Sequence, residues 1–265
     1  MFSLHGLACW SKLGPGGCLP DKLATLSVPL PARLSLASRC PLFRGLAPEA
    51  LESLVKESSL REARRRQRLF EQGDPAPWVW VLTAGLVKVT NTTDRGDEVI
   101  LRLTGPGEVL AGVGLGAGAS HLVSAVALEP SQVLVWSRPL LEAALEHHPT
   151  LARNALRIMR ERLRELEEDH ALLATRKLEQ RLALLLVRLA GRYGRPCDEG
   201  TSLGLTREEL GQMVGTDVFG VSRLLASWES QGLVLSRREV VVIRAPERLA
   251  AVGEGWTRES ARPAV

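Results

Sequence analysis

Cysteine is scarce in this chain, and so are long apolar runs. The 265 residues include four widely spaced cysteines, Cys9, Cys18, Cys40 and Cys197. Their spacing argues against a disulfide framework and favours a reduced, cytoplasmic setting. No stretch is long and apolar enough to span a bilayer, and the first residues lack the continuous apolar core of a secretory signal. We therefore expect no membrane association.

A large excess of charge and the residue patterns of an enzyme are also lacking. The formal net charge is only +4, which is compatible with a polyanionic partner but does not demonstrate one. No nucleophile paired with a base, no phosphate loop and no metal-ligand spacing stands out. We therefore expect a binding or regulatory protein, not an enzyme, and no metal site.

Changes in hydrophobic periodicity divide the chain into five segments. Residues 1–38 show neither a helical nor a strand period and are expected to form a poorly ordered extension. Residues 39–148 contain short β-rich pieces punctuated by glycine and proline, which predict an antiparallel roll or barrel. The period then becomes helical. We expect a long helix over 149–175, a second domain over 176–250 and a tail over 251–265.

The β-rich pieces are short and follow one another without intervening helices. They are Trp78–Leu82, Leu86–Thr90, Glu98–Leu103, His121–Leu128 and Gln132–Trp136. The sequence "DRGDE" between the second and third pieces predicts a hairpin turn. Farther along the chain, "RPCDEG" at residues 195–200 is expected to be a loop.

The helix over 149–175 carries apolar residues at alternating steps of three and four. Such a heptad seam is typical of a helix that packs against a second copy of itself. Burial of the seam against the β-roll is the alternative. His170 is either a tolerated polar residue or, facing its own copy in a dimer, a position for metal or haem. The seam residues are Leu156, Met159, Leu163, Leu166, His170 and Leu173.

The segment from Leu205 to Leu249 has the pattern of two short helices followed by a β-hairpin. Thr206 and Glu209 form a capping box that opens the first helix. Gly215 makes a tight turn, and Asp217 can cap the second helix. The residues expected to face inward are Leu210 and Met213 on the first helix and Val221, Leu224, Leu225 and Trp228 on the second.

This geometry leaves the second helix free to enter a DNA major groove, which is about 12 Å wide. Arg223 can donate two hydrogen bonds to guanine, and Ser222 and Thr216 can reach a phosphate or a base edge. A plain helical hairpin inside a core is the alternative. The predicted DNA-contacting residues are Thr206, Thr216, Asp217, Val218, Phe219, Ser222 and Arg223.

Several segments, taken in order, resemble the Crp/Fnr family of bacterial regulators over about Cys40 to Leu249. They include "RLFEQGDPA", "VWVLTAGLVKV", "EVILRLTGPGEVLAG", "LEHHPTLARNALRIMRERLRELE" and "LTREELGQMVGT". The resemblance implies an α+β fold with an N-terminal antiparallel β-roll, which is a double-stranded β-helix of the cyclic-nucleotide-binding-like type. A long dimerisation helix and a C-terminal winged helix-turn-helix follow it. The resemblance also implies a homodimer that binds double-stranded DNA at two-fold symmetric operators and contacts RNA polymerase.

The recognition helix departs from the family pattern at two positions. Phe219 stands where many members carry a glutamate, and Val218 where others often have an arginine. Phe219 cannot accept a hydrogen bond but can pack on a thymine methyl group. The family's serine and arginine fall on Ser222 and Arg223. We therefore expect a half-site different from the family's commonest one.

The segment expected to sense the effector, within the β-roll, also departs from the family pattern. Cyclic-nucleotide-binding members hold the ribose with a glutamate and the phosphate with an arginine. Gly112 and His121 fall near these positions, and neither supplies the charge that a cyclic phosphate needs. The effector is therefore expected not to be cyclic AMP and is otherwise unidentified. The expected effector pocket comprises Gly107, Glu108, Gly112, Gly114, His121 and Ser124.

Other effectors and one other function stay open. Some relatives bind haem to sense nitric oxide or carbon monoxide, and an apolar, glycine-rich pocket is compatible with haem. An iron–sulfur cluster is not expected, because the N-terminal cysteines are too dispersed. The alternative function is a cyclic-nucleotide-binding-like regulatory module of a signalling protein that does not bind DNA. That alternative requires a glutamate and an arginine in the pocket, which this chain lacks there, and it does not require the β-hairpin that follows the second helix.

Overall fold

A computed structural model describes residues 23–111 and 120–255 of the chain. The helices in these ranges are α1 (Leu30–Ser38), α2 (Pro48–Lys56), α3 (Arg138–His147), α4 (Pro149–Thr175), α5 (Leu178–Tyr193), α6 (Arg207–Val214), α7 (Val218–Ser230) and α8 (Pro246–Glu254). The first strands are β1 (Ala24–Leu26), β2 (Ser59–Ala63), β3 (Arg68–Phe70), β4 (Trp78–Ala84), β5 (Val87–Thr92), β6 (Glu98–Thr104) and β7 (Val109–Ala111). The remaining strands are β8 (Ser124–Ala127), β9 (Ser131–Ser137), β10 (Arg195–Cys197), β11 (Gly200–Leu203), β12 (Val234–Ser236) and β13 (Val241–Ile243).

The chain forms two compact units, and the predicted α+β class is confirmed. Of the described residues, the first unit comprises 23–89, 104–111 and 120–156, and the second comprises 90–103 and 157–255. In the part of the chain that the structure describes, strands β2 to β9 follow one another without an intervening helix, and their pairs are antiparallel, unlike the alternating strands and helices of a parallel α/β fold.

The core of the first unit lies between strands of two sheets, whose strand orders are β1-β2-β9-β4-β7 and β3-β8-β5-β6. Alternate residues of their strands meet in one core, because successive side chains of a strand point to opposite faces. Trp80 and Leu82 of β4 and Val87 and Val89 of β5 are almost completely buried in it. The predicted hairpin turn between β5 and β6 is present, with the Gly96 amide donating to Thr93 O at 2.9 Å.

The segment before Cys40 contains regular structure that the sequence did not predict. Residues 1–38 were expected to form a poorly ordered extension, but β1 pairs antiparallel with β2, and α1 follows. Arg33 on α1 donates to Val55 O at 3.1 Å and also to Ser58 O, just where α2 ends. The order of this segment comes from tertiary contacts, which periodicity cannot report. Residues 1–22 lie outside the described part.

The second unit packs α5, α6, α7 and α8 around the four-stranded sheet β10-β11-β13-β12. Its core includes fully buried side chains from three helices, Leu186, Leu210 and Trp228. Helix α8 continues to Glu254 and so includes the first four residues of the predicted tail, and Gly253 lies against Leu184 of α5.

The prediction of a loop at residues 195–200 is wrong in part. It forms β10 and opens β11, which pair antiparallel with Arg195 opposite Ser202. Gly200 has φ +138°, and a Cβ atom there would lie 2.2 Å from Ile243 O of the neighbouring strand. The hairpin is thus short and packs tightly against β13. Its proline and glycine residues are typical of loops, and for that reason the sequence did not predict strands here.

Among the described residues, no helix is both long and apolar enough to cross a membrane.

Candidate nucleic-acid interface

The capping box predicted at the start of α6 is confirmed. Thr206 Oγ1 accepts a hydrogen bond from the Glu209 amide at 3.1 Å, and Glu209 Oε2 accepts one from the Thr206 amide at 2.9 Å. The two bonds satisfy backbone donors that have no partner within a helix. They fix where α6 begins and therefore where the turn to α7 falls.

The turn between α6 and α7 also follows the prediction. Gly215 has φ +70°, a left-handed conformation that costs glycine little and other residues more. Asp217 Oδ1 accepts from the Gly220 amide at 2.7 Å and so caps α7. The left-handed Gly215 and the Asp217 cap together set the direction in which α7 leaves the turn.

The inner face of α7 is held in the core of the second unit. Val221, Leu225 and Trp228 are fully buried, and Trp228 Nε1 donates to Glu179 Oε1 at 3.3 Å. Leu224, expected to face inward with them, is only half-buried, and so is Met213 on α6. Both lie at the border of the buried face, where periodicity alone does not decide exposure.

The outer face of α7 carries the residues that the sequence assigned to DNA. Phe219 is 69% exposed and Val218 39%, and Arg223 is exposed as well. Ser222 is half-exposed, and its hydroxyl donates to Val218 O at 2.7 Å. A large aromatic side chain open to solvent beside an arginine thus forms a surface that no other described residue covers.

The hairpin β12–β13 stands next to this face. The Ser236 amide donates to Glu229 Oε1 of α7 at 3.3 Å, and Arg207 Nη2 donates to Ser236 Oγ at 3.2 Å. One surface depression joins the start of α6, the start of α7 and the hairpin tip. It is lined by Thr206, Arg207, Glu208, Val218, Ser236, Arg237 and Arg238.

Three arginines of this depression were missed by the sequence analysis. They are Arg207, Arg237 and Arg238. The pair "RR" at the tip of the hairpin, in "LSRREV", was the signal that could have found two of them, because basic residues at an exposed tip suit an anionic partner. Thr206 and Val218, both predicted, lie in the same depression.

The heptad seam of α4 is exposed along its length. Leu156 is 67% exposed, Leu163 57%, and Met159, Leu166 and Leu173 between 43% and 50%. His170 is exposed too. A different face of α4 contacts α5, through Asp169 with Arg188 at 2.6 Å and Glu165 with Arg192 at 2.8 Å. Leu166 and Leu173 also line a groove together with α5 side chains such as Leu185, so α5 borders the seam at these residues but leaves it exposed.

The residues predicted for an effector pocket are only partly described. Gly112 and Gly114 lie outside the described residues. Ser124 is buried and accepts from the Gln72 amide at 3.0 Å, and Glu108 Oε2 accepts from the Gly105 amide at 3.2 Å. Gly107 has φ +85°. These bonds stabilise turns of the first unit.

His121 is a buried imidazole stacked on an aromatic ring. It is 4% exposed, and its ring lies 3.9 Å from that of Phe70, centroid to centroid, at an interplanar angle of 11°. The pKa of His121 is lowered from 6.5 to about 4, mainly by burial and also by the nearby Arg138, whereas Asp74 opposes the shift. At neutral pH the ring carries no charge and cannot act as a cationic ligand for a phosphate.

Within residues 23–111 and 120–255, no three histidine, cysteine or acidic side chains are grouped to hold a metal ion. Among the described cysteines, Cys40 is buried and Cys197 is exposed. Haem binding stays a prediction from the resemblance.

The chain matches two known protein families in separate regions. Residues 60–148 match the family described as the cyclic nucleotide-binding domain, and residues 180–252 match the Crp-like helix-turn-helix domain. The first region holds the two sheets from β2 to β9, and the second holds α6, α7 and the hairpin. The alternative of a regulatory module without DNA binding is not favoured by the second match.

Relatives with known names are similar over most of their length. The chain is 32% identical over 241 residues to the transcriptional regulatory protein btr of Bordetella pertussis, covering 86% of this chain and 97% of that one. It is 26% identical over 219 residues to the CRP-like cAMP-activated global transcriptional regulator of Mycobacterium tuberculosis, covering 81% and 97%. The solved structure of FixK2 from Bradyrhizobium japonicum shares the fold, with a TM-score of 0.63 at 24% identity, covering 78% and 98%.

Proposed function

The chain belongs to the Crp/Fnr family of transcription regulators, and from this premise we propose that it acts as a cytoplasmic homodimer on two-fold symmetric operators. In this proposal residues 39–148 sense an effector, 149–175 dimerise and 176–250 bind DNA. It contacts RNA polymerase as its relatives' role in transcription suggests, and it catalyses no reaction. The observation that carries the proposal is the exposed outer face of α7 beside the hairpin, with Phe219 and Arg223 open to solvent.

A second copy of the chain is the proposed occupant of the seam on α4. The 27-residue helix is about 40 Å long, and five large apolar side chains together with His170 line one of its faces in steps of three and four. An exposed apolar strip of this kind is unfavourable in water and marks an interaction surface. The positions that flank the seam carry charged side chains, among them Arg160, Arg162 and Glu167, which suits the edges of a parallel helix pair.

The outer face of α7 is proposed to read bases in the major groove. Arg223 would donate two hydrogen bonds to a guanine, and Phe219 would pack on a thymine methyl group. Ser222 would exchange its bond to Val218 O for a phosphate, and Thr216 and Thr206 would contact the backbone. Val218 adds apolar surface. Asp217 contributes by holding the first turn of α7 in place.

The effector is proposed not to be cyclic AMP. The Mycobacterium tuberculosis relative is cAMP-activated by its name. In this chain His121, near the position where cyclic-nucleotide-binding members carry an arginine, is uncharged at neutral pH because burial lowers its pKa. A cyclic phosphate therefore finds no cation at His121, and a charge-assisted bond is lost. Titration with cyclic AMP, followed by tryptophan fluorescence, is expected to show no saturable change, and saturation would refute this part.

Selection of duplexes from a random pool tests the DNA-binding proposal. The protein should enrich two-fold symmetric sites, and its affinity should fall steeply as salt rises. Arg223→Ala should weaken binding by about 1–3 kcal/mol and relax the preference at one base pair of each half-site. Arg248→Ala, which removes the same charge from α8, should leave the base preference unchanged. Sequence-blind binding that is insensitive to salt would overturn the proposal.

Sedimentation of seam variants tests the dimer. Leu163→Glu places a charge in the seam and should shift the protein to a monomer that binds a symmetric duplex more weakly. Ala171→Glu adds the same charge to α4 at an exposed position outside the seam and should leave the dimer intact. A wild-type protein that sediments as a monomer at micromolar concentration would refute this part.

A further inference from the structure

Glu199 lies in the turn between β10 and β11 and binds two arginines. Its Oε2 accepts from Arg237 Nη2 at 3.1 Å, and its Oε1 accepts from Arg244 Nη2 at 2.7 Å. The side chain of Arg237 remains 65% exposed and that of Glu199 39%. The Arg237 pair therefore lies in contact with solvent, where an ion pair is weak and opens readily.

Arg237 also belongs to the surface beside the recognition helix. It lines the depression that contains Val218 at the start of α7 and Arg207 at the start of α6. Arg238 lies in the same depression, and Glu208 is the one acidic residue of its described lining. The depression therefore brings three arginines next to the first turn of α7, the helix proposed to enter the major groove.

We propose that Glu199 competes with the DNA backbone for Arg237 and thereby limits the affinity of this protein for any duplex. The inference rests on the proposed function. A carboxylate and a phosphodiester both accept hydrogen bonds from a guanidinium group, so Arg237 can hold one only by releasing the other. Glu199 thus occupies in the free protein the cation that a phosphate takes in the complex.

The competition acts on affinity without acting on sequence preference. Contacts to phosphate oxygens are the same for every base sequence. A carboxylate that withholds one phosphate contact therefore weakens binding to random and to selected duplexes by the same factor. In a cell this lowers the share of the protein held on non-specific DNA.

Glu199→Gln is the test variant, and Asp198→Asn is its matched control. Both remove one negative charge from the same exposed turn, but Asp198 is not the partner of Arg237. Affinities are measured by fluorescence anisotropy with a random-sequence duplex and with a duplex from the selection, at salt between about 50 and 200 mM. We expect Glu199→Gln to bind both duplexes about two- to fivefold more tightly than Asp198→Asn, as befits an exposed ion pair.

A second pair of variants shows whether Arg237 is the group competed for. In the Arg237→Gln background, the gain from Glu199→Gln should disappear, because no cation remains to be released to the phosphate. A gain that persists there would assign the effect to Arg244 or to net charge and overturn the proposal. Equal affinities of Glu199→Gln and Asp198→Asn would overturn it too.

Failure of this proposal is distinct from failure of the proposed function. If the wild type selects no duplex, DNA recognition itself is refuted. If the wild type selects a duplex and its base preference depends on Arg223, but Glu199→Gln and Asp198→Asn bind with equal affinity, only the competition is refuted. An unchanged midpoint of thermal unfolding shows that the variants are folded.

Discussion

The burial of His121 predicts a loss of stability in mild acid. The imidazole is stacked on Phe70 and 4% exposed, and its pKa is lowered from 6.5 to about 4, first by burial and then by Arg138. In the unfolded chain the pKa returns to its ordinary value. Protonation between these two values therefore favours the unfolded state.

The sign and size of the effect follow from linkage. The contribution of the neutral ring is complete above the unfolded pKa and is lost as the pH falls from about 6.5 toward 4. One pKa unit corresponds to about 1.4 kcal/mol, so the first unit should lose about 2 kcal/mol between pH 7 and pH 5 through His121 alone. Carboxylates add their own pH dependence, which a variant without this imidazole isolates.

His121→Phe keeps an aromatic ring against Phe70 and removes the titration. Urea unfolding followed by tryptophan fluorescence at pH 7 and pH 5 measures the change in the free energy of unfolding for both proteins. The wild type should lose about 2 kcal/mol more than the variant over this interval. His147→Gln, at an exposed histidine, should behave as the wild type does. If His121→Phe loses as much stability as the wild type, the assignment to His121 is refuted.

Substitutions at a glycine and at a helix cap test the local structure of the second unit. Gly215→Ala places a side chain at φ +70° and should lower the free energy of unfolding by about 1–2 kcal/mol. Gly191→Ala lies inside α5 with open space around it and should raise the free energy of unfolding by about 0.5–1 kcal/mol. Thermal denaturation compares the two variants, and equal shifts of the midpoint would contradict the reasoning. Thr206→Ala should destabilise the same unit by about 1 kcal/mol through loss of the cap, and Thr206→Ser should not, as urea titration would show.

The parts of the fold that the sequence predicted are those controlled by local chemistry. The long helix begins at Pro149 and ends at Thr175 as expected, because its period is regular and a proline suits a first helical position. The capping box at Thr206 and the turn at Gly215 were readable because each needs particular residue types within a few positions. Most of the observed β4, β5, β6 and β9 follows from short β-branched and aromatic runs.

The parts that the sequence missed depend on residues far apart in the chain. Helix α1 has no clear apolar face, and its contact between Arg33 and Val55 spans 22 positions. The short strand β7 pairs with β4 through only a few residues, so it is too short to produce a recognisable alternation of apolar and polar residues.

The same distance hides features of the candidate interface. Glu199 meets Arg237 across 38 positions, and no motif connects them. The exposure of Phe219 was predicted, whereas the burial of His121 on Phe70 was not, because stacking depends on how the two sheets close.

The exposed seam of α4 has a consequence for how the protein responds to its own abundance. Because we propose that two copies must close over this face before a symmetric site is read, the active species forms in a second-order step. Wherever monomers predominate, doubling the amount of chain would raise the dimer about fourfold. The leucines of one helix would then determine how steeply the occupancy of a target depends on synthesis and degradation, independently of any effector.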